Sequence, residues 1–173
     1  MFVILPFFVY CTKYTNAGQG LGVVINVTLR TGAKCVTMAK FDFERFCQLI
    51  QDHQISFIYV PPPIVLALGK APVVNKYDMS SIRFINSAAA PLSKDLVDTV
   101  WNRLRIGVKQ GYGLSETSPT VTKQLMDEWA RFQGSVGKLM PNMLAKIIDE
   151  EGNEVPTGEV RPQILLKALM EHC

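Results

Sequence analysis

The sequence predicts an α/β fold built on a mostly parallel sheet, and three features carry that expectation. Runs rich in β-branched and aromatic residues alternate with helical patterns four times over. Helix-starting residues stand ahead of the helical stretches: Asp42, the prolines 61 to 63, and Ser93. The strand runs, "ISFIYV" among them, are apolar almost throughout, as in strands covered on both faces. Sheets of this kind bind ligands beyond the carboxyl ends of their strands.

In chain order, "MFVILPFFVY" predicts a buried strand. A leader or spanning helix fits it poorly, because no basic residue precedes it and Lys13 closes it short of the roughly 20 apolar residues a span needs. "GLGVVINVTLR" predicts a helix, "KCVTM" a strand, and "DFERFCQLIQDH" a helix with Phe43, Phe46, Cys47 and Ile50 on one face behind Asp42 as N-cap. "ISFIYV" predicts a strand that stops at the prolines, and "PIVLALGK" a short helix. "SIRFINS" predicts a strand, "SKDLVDTVWNRL" a helix capped by Ser93, and "IGVKQ" the next strand. "AKIID", the turn "EEGN" and "EVPTGEV" then read as short strands, whereas "RPQILLKALMEHC" fits no element.

Composition narrows the function. With 173 residues, 48% apolar and 19% charged, the chain has one domain's worth of core. A net charge of +3, without a basic run, leaves no electrostatic footprint for nucleic acid. Cys11, Cys35, Cys47 and Cys173 form no C-x-x-C pair, so neither a zinc cluster nor a disulfide framework is expected, and the setting is a reducing one.

Two strand ends carry candidate chemistry. "NSAAAP", residues 86 to 91, closes a strand with small side chains, which suit either a planar ligand lying on the backbone or close helix–sheet packing. "QGYGLSE", residues 110 to 116, offers Gly111 and Gly113 for close approach and the Tyr112 ring for stacking. It also offers the Ser115 hydroxyl for a phosphate oxygen and the Glu116 carboxylate as a hard ligand for Mg²⁺. Together these outline a nucleotide site, while any one of them alone fits a tight turn. Rival motifs fail on single letters. G-x-G-x-x-G meets Glu116 or Val23 where its third glycine belongs, and G-x-S-x-G meets Thr117, although Asp149 and His172 follow in hydrolase order and keep a serine hydrolase as a remote option. "GSVGK" lacks the spacing of a phosphate-binding P-loop.

"INSAAAPLSKDLVDTVWNRL", "VKQGYGLSETSPT", "GSVGKLMPN" and "AKIIDEEGNEVPTGE", in this order, resemble successive landmarks of the adenylate-forming acyl-CoA synthetases, and most closely fungal 4-coumarate-CoA ligase-like enzymes. The resemblance implies a mostly parallel sheet from the large domain of such an enzyme, with short β-strands at its C-terminal end. Residues 1–160 would form a partial AMP-binding domain and 161–173 a divergent tail. It implies ATP, Mg²⁺ and coenzyme A as the small molecules used, and a two-step reaction. A carboxylic acid, aromatic or fatty, attacks the α-phosphate to give acyl-AMP, and the coenzyme A thiol then displaces AMP.

By the same matching, Ala89, Ala90, Pro91, Gly111, Tyr112 and Gly113 flank the adenine, Ser115 contacts phosphate, and Glu116 holds the metal. Val9, Asn86, Ala88, Gln110, Pro119 and Thr120 line the acyl pocket. Val9 stands where the family commonly has histidine, and Ala88 where it has glycine. The family's lysine-bearing phosphate loop would lie upstream. Its ribose aspartate and a small domain with the catalytic lysine would lie downstream. The chain is therefore expected to be a central slice, inactive alone, from an intracellular protein of the cytoplasm or peroxisome. A non-catalytic nucleotide- or partner-binding module and, more remotely, a membrane-associated small protein are the alternatives.

Overall fold

The computed structural model describes residues 8–11, 26–117, 120–149, 151–156 and 163–168. Its sheet has seven strands: β1 (Phe8–Cys11), β2 (Cys35–Met38), β3 (Phe57–Val60), β4 (Phe84–Ser87), β5 (Gly107–Gly113), β6 (Thr120–Lys123) and β7 (Lys138–Leu139), in the order β2-β1-β3-β4-β5-β6-β7. The pairings from β2 to β5 are parallel and the last two antiparallel. The expected α/β fold with a mostly parallel sheet is what the chain adopts.

Local chemistry explains the crossovers. Asp42 holds an extended conformation, and its carboxylate accepts the Arg45 N–H at 2.7 Å, which starts α2 (Phe43–His53). That helix buries Phe46, Cys47, Leu49 and Ile50 and leaves Phe43 half-buried at the rim. α3 (Pro62–Lys70) opens on proline, where a missing N–H costs nothing. Ser93 does stand at the start of α4 (Lys94–Leu104), but its hydroxyl makes no capping bond. Its carbonyl instead accepts the N–H groups of Leu96 and Val97. Arg103, in the last turn of α4, donates to the carbonyls of Leu68 and Ala71 and to Asn75 Oδ1, satisfying acceptors at the end of α3.

Register divides the sheet into two faces. Ile58, Ile85 and Val108 are aligned across β3, β4 and β5 and are buried with Val65 and Leu68 of α3 and Val97 and Val100 of α4. Each such side chain contributes roughly 1.5–3 kcal/mol on burial, so this face holds the fold together. The opposite face carries Phe57, Tyr59, Phe84, Asn86 and Lys109, with the Phe57 and Phe84 rings stacked at 6.3 Å.

Four expectations need amendment. Of the helix expected over "GLGVVINVTLR", the described residues show α1 (Val27–Thr31), ended by Gly32 at φ 65°, and residues 20–25 lie outside them. β5 does not stop at Gln110. It continues through Gly113 because β6 pairs with it antiparallel. The tail that fitted no element contains β9 (Gln163–Ala168), which pairs along all of β8 (Met143–Ile148) in a separate two-stranded sheet. "QILLKA" lacks the run of β-branched residues that marks a strand, and pairing with β8 decides the matter against local propensity. From "EVPTGEV", Glu154 makes a single bridge to Ile148, and residues 157–160 lie outside the described set.

Candidate nucleotide site at the strand ends

Ser87 and Gln110 are the last aligned residues of β4 and β5, so the Ala88–Pro91 loop and the Gly111–Gly113 stretch leave this register side by side at the carboxyl edge of the sheet. Ala89, Ala90 and Pro91 are exposed there, with Leu92 buried behind them as an anchor. Ala89 has φ 76°, a left-handed conformation that places its Cβ under strain. Beyond β5, Ser115, Glu116 and Thr117 form a single 3₁₀ turn. The Thr117 hydroxyl ties that turn down, accepting the Leu114 N–H at 3.1 Å and lying 3.0 Å from the Leu114 carbonyl.

Ser115 and Glu116 are exposed, and among the described residues their side chains have no hydrogen-bond or ion-pair partner. The Tyr112 side chain is also exposed, at 37%. No group of three or more potential metal-ligating His, Cys, Asp or Glu exists among the described residues. A single exposed carboxylate at this edge suits Mg²⁺, which takes one or two protein carboxylates and completes its shell with phosphate oxygens and water.

The remaining candidates divide. Thr120 pairs with Gly113 and so stands at the same edge. Asn86 lies on the face opposite the helices. Gln110 alternates onto the helix-covered face at 6% exposure, so Asn86 and Gln110 do not share a wall. Ala88 is half-buried where β4 ends. Val9 belongs to β1, with β3 between it and β4, and aligns with Ile58 well below the strand ends. Pro119 lies outside the described residues. Gly111 has a structural reason of its own, since a Cβ there would stand 3.0 Å from the Thr122 carbonyl oxygen of β6.

Sequence reasoning missed three polar residues around this edge. Gln124, 1% exposed, accepts the Gln110 N–H through Oε1 at 2.8 Å and donates from Nε2 to the Phe132 carbonyl at 2.7 Å. Lys109 is 5% exposed, and burial, reinforced by the charge of Lys123, pushes its ammonium down to about 8. The Lys123 ammonium lies 5.8 Å from the centre of the Tyr59 ring. The available signal was a lysine inside an otherwise apolar strand, "IGVKQG".

An open α/β sheet with two small-residue segments at adjacent strand ends, followed by an exposed Ser-Glu pair, defines a protein of the α/β class whose members hold ligands beyond the carboxyl edge of their strands. The model of the AMP-binding enzyme family matches residues 15–167, and the chain belongs to that family. It is 37% identical over 160 residues to "Probable 4-coumarate--CoA ligase 1" of Dictyostelium discoideum, which covers 90% of this chain and 27% of that protein. Against "4-coumarate--CoA ligase 1" of Petroselinum crispum it is 37% identical over 153 residues, 85% of this chain and 28% of the relative. Among solved structures, ATP-bound MatB from Rhodopseudomonas palustris superposes with a TM-score of 0.81 at 26% identity, over 94% of this chain and 31% of that one. The chain thus spans little more than a quarter of the length of these curated relatives. No helix among the described residues is long and apolar enough to cross a membrane.

Proposed function

We propose that this segment carries the adenine and phosphate seat of an ATP-dependent acid–thiol ligase, which activates a carboxylic acid as acyl-AMP and passes the acyl group to coenzyme A in the cytosol or peroxisome. The observation that carries the reading is that the Ala88–Pro91 loop beyond β4 and the Gly111–Gly113 end of β5 pass the β4–β5 register together, directly ahead of the exposed Ser115 and Glu116. The adenine lies between the Ala89–Pro91 loop and the Gly111–Gly113 backbone, with the Tyr112 ring against it. Ser115 donates its free hydroxyl to a phosphate oxygen. Glu116 is the residue that would hold Mg²⁺, which when bound offsets negative charge on the phosphates. The substrate carboxylate attacks the α-phosphorus and pyrophosphate leaves; the coenzyme A thiol then attacks the acyl carbon and AMP leaves.

No side chain of this segment is asked to act as a nucleophile. Its part is to place the α-phosphate and to set fixed donors where charge grows. The test is pyrophosphate release from ATP with a panel of carboxylic acids, in the full-length protein that carries this segment. Glu116→Ala is expected to lower the rate by about a hundredfold, the scale of losing one electrostatic contact to the reacting group. The fold should survive, since that carboxylate is exposed. Equal rates in both proteins would refute the assignment.

A further inference from the structure

The sheet face opposite the helices holds two lysines in an aromatic setting. Tyr59, Asn86 and Lys109 are aligned on three successive strands. The Lys109 ammonium lies 5.3 Å from the centre of the Phe84 ring, and that of Lys123 lies 5.8 Å from the centre of the Tyr59 ring. Lys109 is 5% exposed and has no hydrogen bond or ion pair among the described residues. The buried Asn86 Oδ1 beside it is also without a partner.

Ring contacts offset burial of a cation by about 0.5–2 kcal/mol, whereas desolvating it costs several kcal/mol, so the aromatic faces alone do not account for a buried lysine facing a second one. Among the described residues no carboxylate pairs with Lys109, and none of β1 to β6 contains Asp or Glu. Lys109 precedes Gly111 by two residues, about 7 Å along the strand below the edge that would carry the nucleotide. Methylene groups of an acid reaching down from that edge would run along Tyr59 and Phe84.

We propose that Lys109 and Lys123 bind a second carboxylate at the far end of the acid this site activates, so that the preferred acyl substrate is a dicarboxylic acid. The inference rests on the acyl-activating reading above and names its substrate class. Lys109 supplies the buried cation and Lys123 the second one at the mouth. The Asn86 amide turns to donate to the same carboxylate, its orientation being set by whichever partner is present.

The experiment compares adipate and suberate with hexanoate and octanoate, in the full-length protein and in its Lys109→Met and Lys109→Arg variants. Pyrophosphate release is one readout. Direct binding of each acid, by calorimetry and by the lysine Nζ signals in NMR, is the other. The expected result is a ratio of kcat/KM, dicarboxylate over matched monocarboxylate, on the order of ten- to a hundredfold, the scale of a hydrogen bond to a charged group. Lys109→Met should bring that ratio close to one, and Lys109→Arg should retain most of it. A preference for the monocarboxylates, or one for dicarboxylates that survives Lys109→Met, overturns the proposal. So does a stronger response to a hydroxylated monocarboxylate of equal length. If no acid supports pyrophosphate release, the acyl-activating reading fails by itself. Suberate binding that disappears in Lys109→Met would then still support the carboxylate site, and its absence would sink it.

Discussion

Replacing Gly137 by alanine should unfasten the hairpin beside the candidate site, and the structure lets the cost be separated into parts. Gly134 and Gly137 both have positive φ, 85° and 88°. An alanine at either position therefore carries a net penalty of about 0.5–1 kcal/mol, the left-handed cost less glycine's extra chain entropy. At Gly134 that is the whole effect, because nothing lies within 4 Å of the added Cβ. At Gly137 the Cβ would stand 2.1 Å from the Lys123 carbonyl carbon and 2.2 Å from the Gln124 nitrogen. Backbone atoms cannot turn aside as a side chain can, so β7 must move away from β6 by more than an ångström. The Lys123–Lys138 and Thr122–Leu139 pairings and the 2.8 Å bond from Met140 N–H to the Val121 carbonyl go with it.

At roughly 1 kcal/mol per hydrogen bond, that loss adds about 2–3 kcal/mol. Gly137→Ala should thus cost about 2.5–4 kcal/mol, and Gly134→Ala about 0.5–1 kcal/mol. Urea titration followed by circular dichroism is the assay. With a slope of about 1–3 kcal/mol per molar urea, the two midpoints should differ by roughly 1 M or more. Equal midpoints would show that close approach of β6 and β7 is not what requires glycine at 137.

Three further outcomes follow from particular residues. Ala89→Gly removes a Cβ from a residue at φ 76° and should raise stability by about 0.5–1 kcal/mol once glycine's extra chain entropy is deducted; an unchanged or lower urea midpoint would show that the strain is not real. Ala88→Gly should widen the acyl pocket and shift turnover toward aromatic acids, and an identical substrate profile before and after would show that Ala88 does not face it. The Lys138 ammonium, donating to Glu128 at 2.8 Å, together with the Leu125 N–H, holds the Glu128 carboxyl below its ordinary value of 4.5. A depressed carboxylate contributes stability that is present above the unfolded-state value and lost as pH falls through the folded one. Acid unfolding should therefore be shallower in Glu128→Gln than in the unaltered chain, and parallel acid limbs would contradict this.

The parallel sheet was legible because each crossover announces itself locally, as Asp42 does by capping α2 and Pro62 by opening α3. The adjacency of the two small-residue segments, Ala88–Pro91 and Gly111–Gly113, was legible for a related reason, since successive βαβ units make their strands neighbours. What escaped was decided by partners distant in sequence. β9 became a strand through β8, not through its own composition. The environment of Lys109 is made by side chains from other strands, Phe84 of β4 and Lys123 of β6. Gln110 ended on the other face from Asn86 because alternation is counted from the register between β4 and β5, which no local pattern reveals.

The Gln124 side chain has the outline of a peptide group, with a carbonyl at one end and an N–H at the other, and it is used as one. It accepts from the Gln110 N–H and donates to the Phe132 carbonyl, while the Gln124 main-chain N–H donates to the Gln110 carbonyl at 3.0 Å, so residue 124 answers both backbone groups of Gln110. The edge of β5 is thereby sealed by a borrowed amide, and residues 125–134 are free to turn across it instead of extending alongside. Such a seal has no graded substitute. Glutamate would offer acceptors at both ends and leave the Phe132 carbonyl facing like charge, while leucine would offer nothing to either group. In both cases a reopened strand edge would be available to a second molecule, so a one-atom change from amide to carboxylate should be felt first as self-association and only afterwards as lost stability.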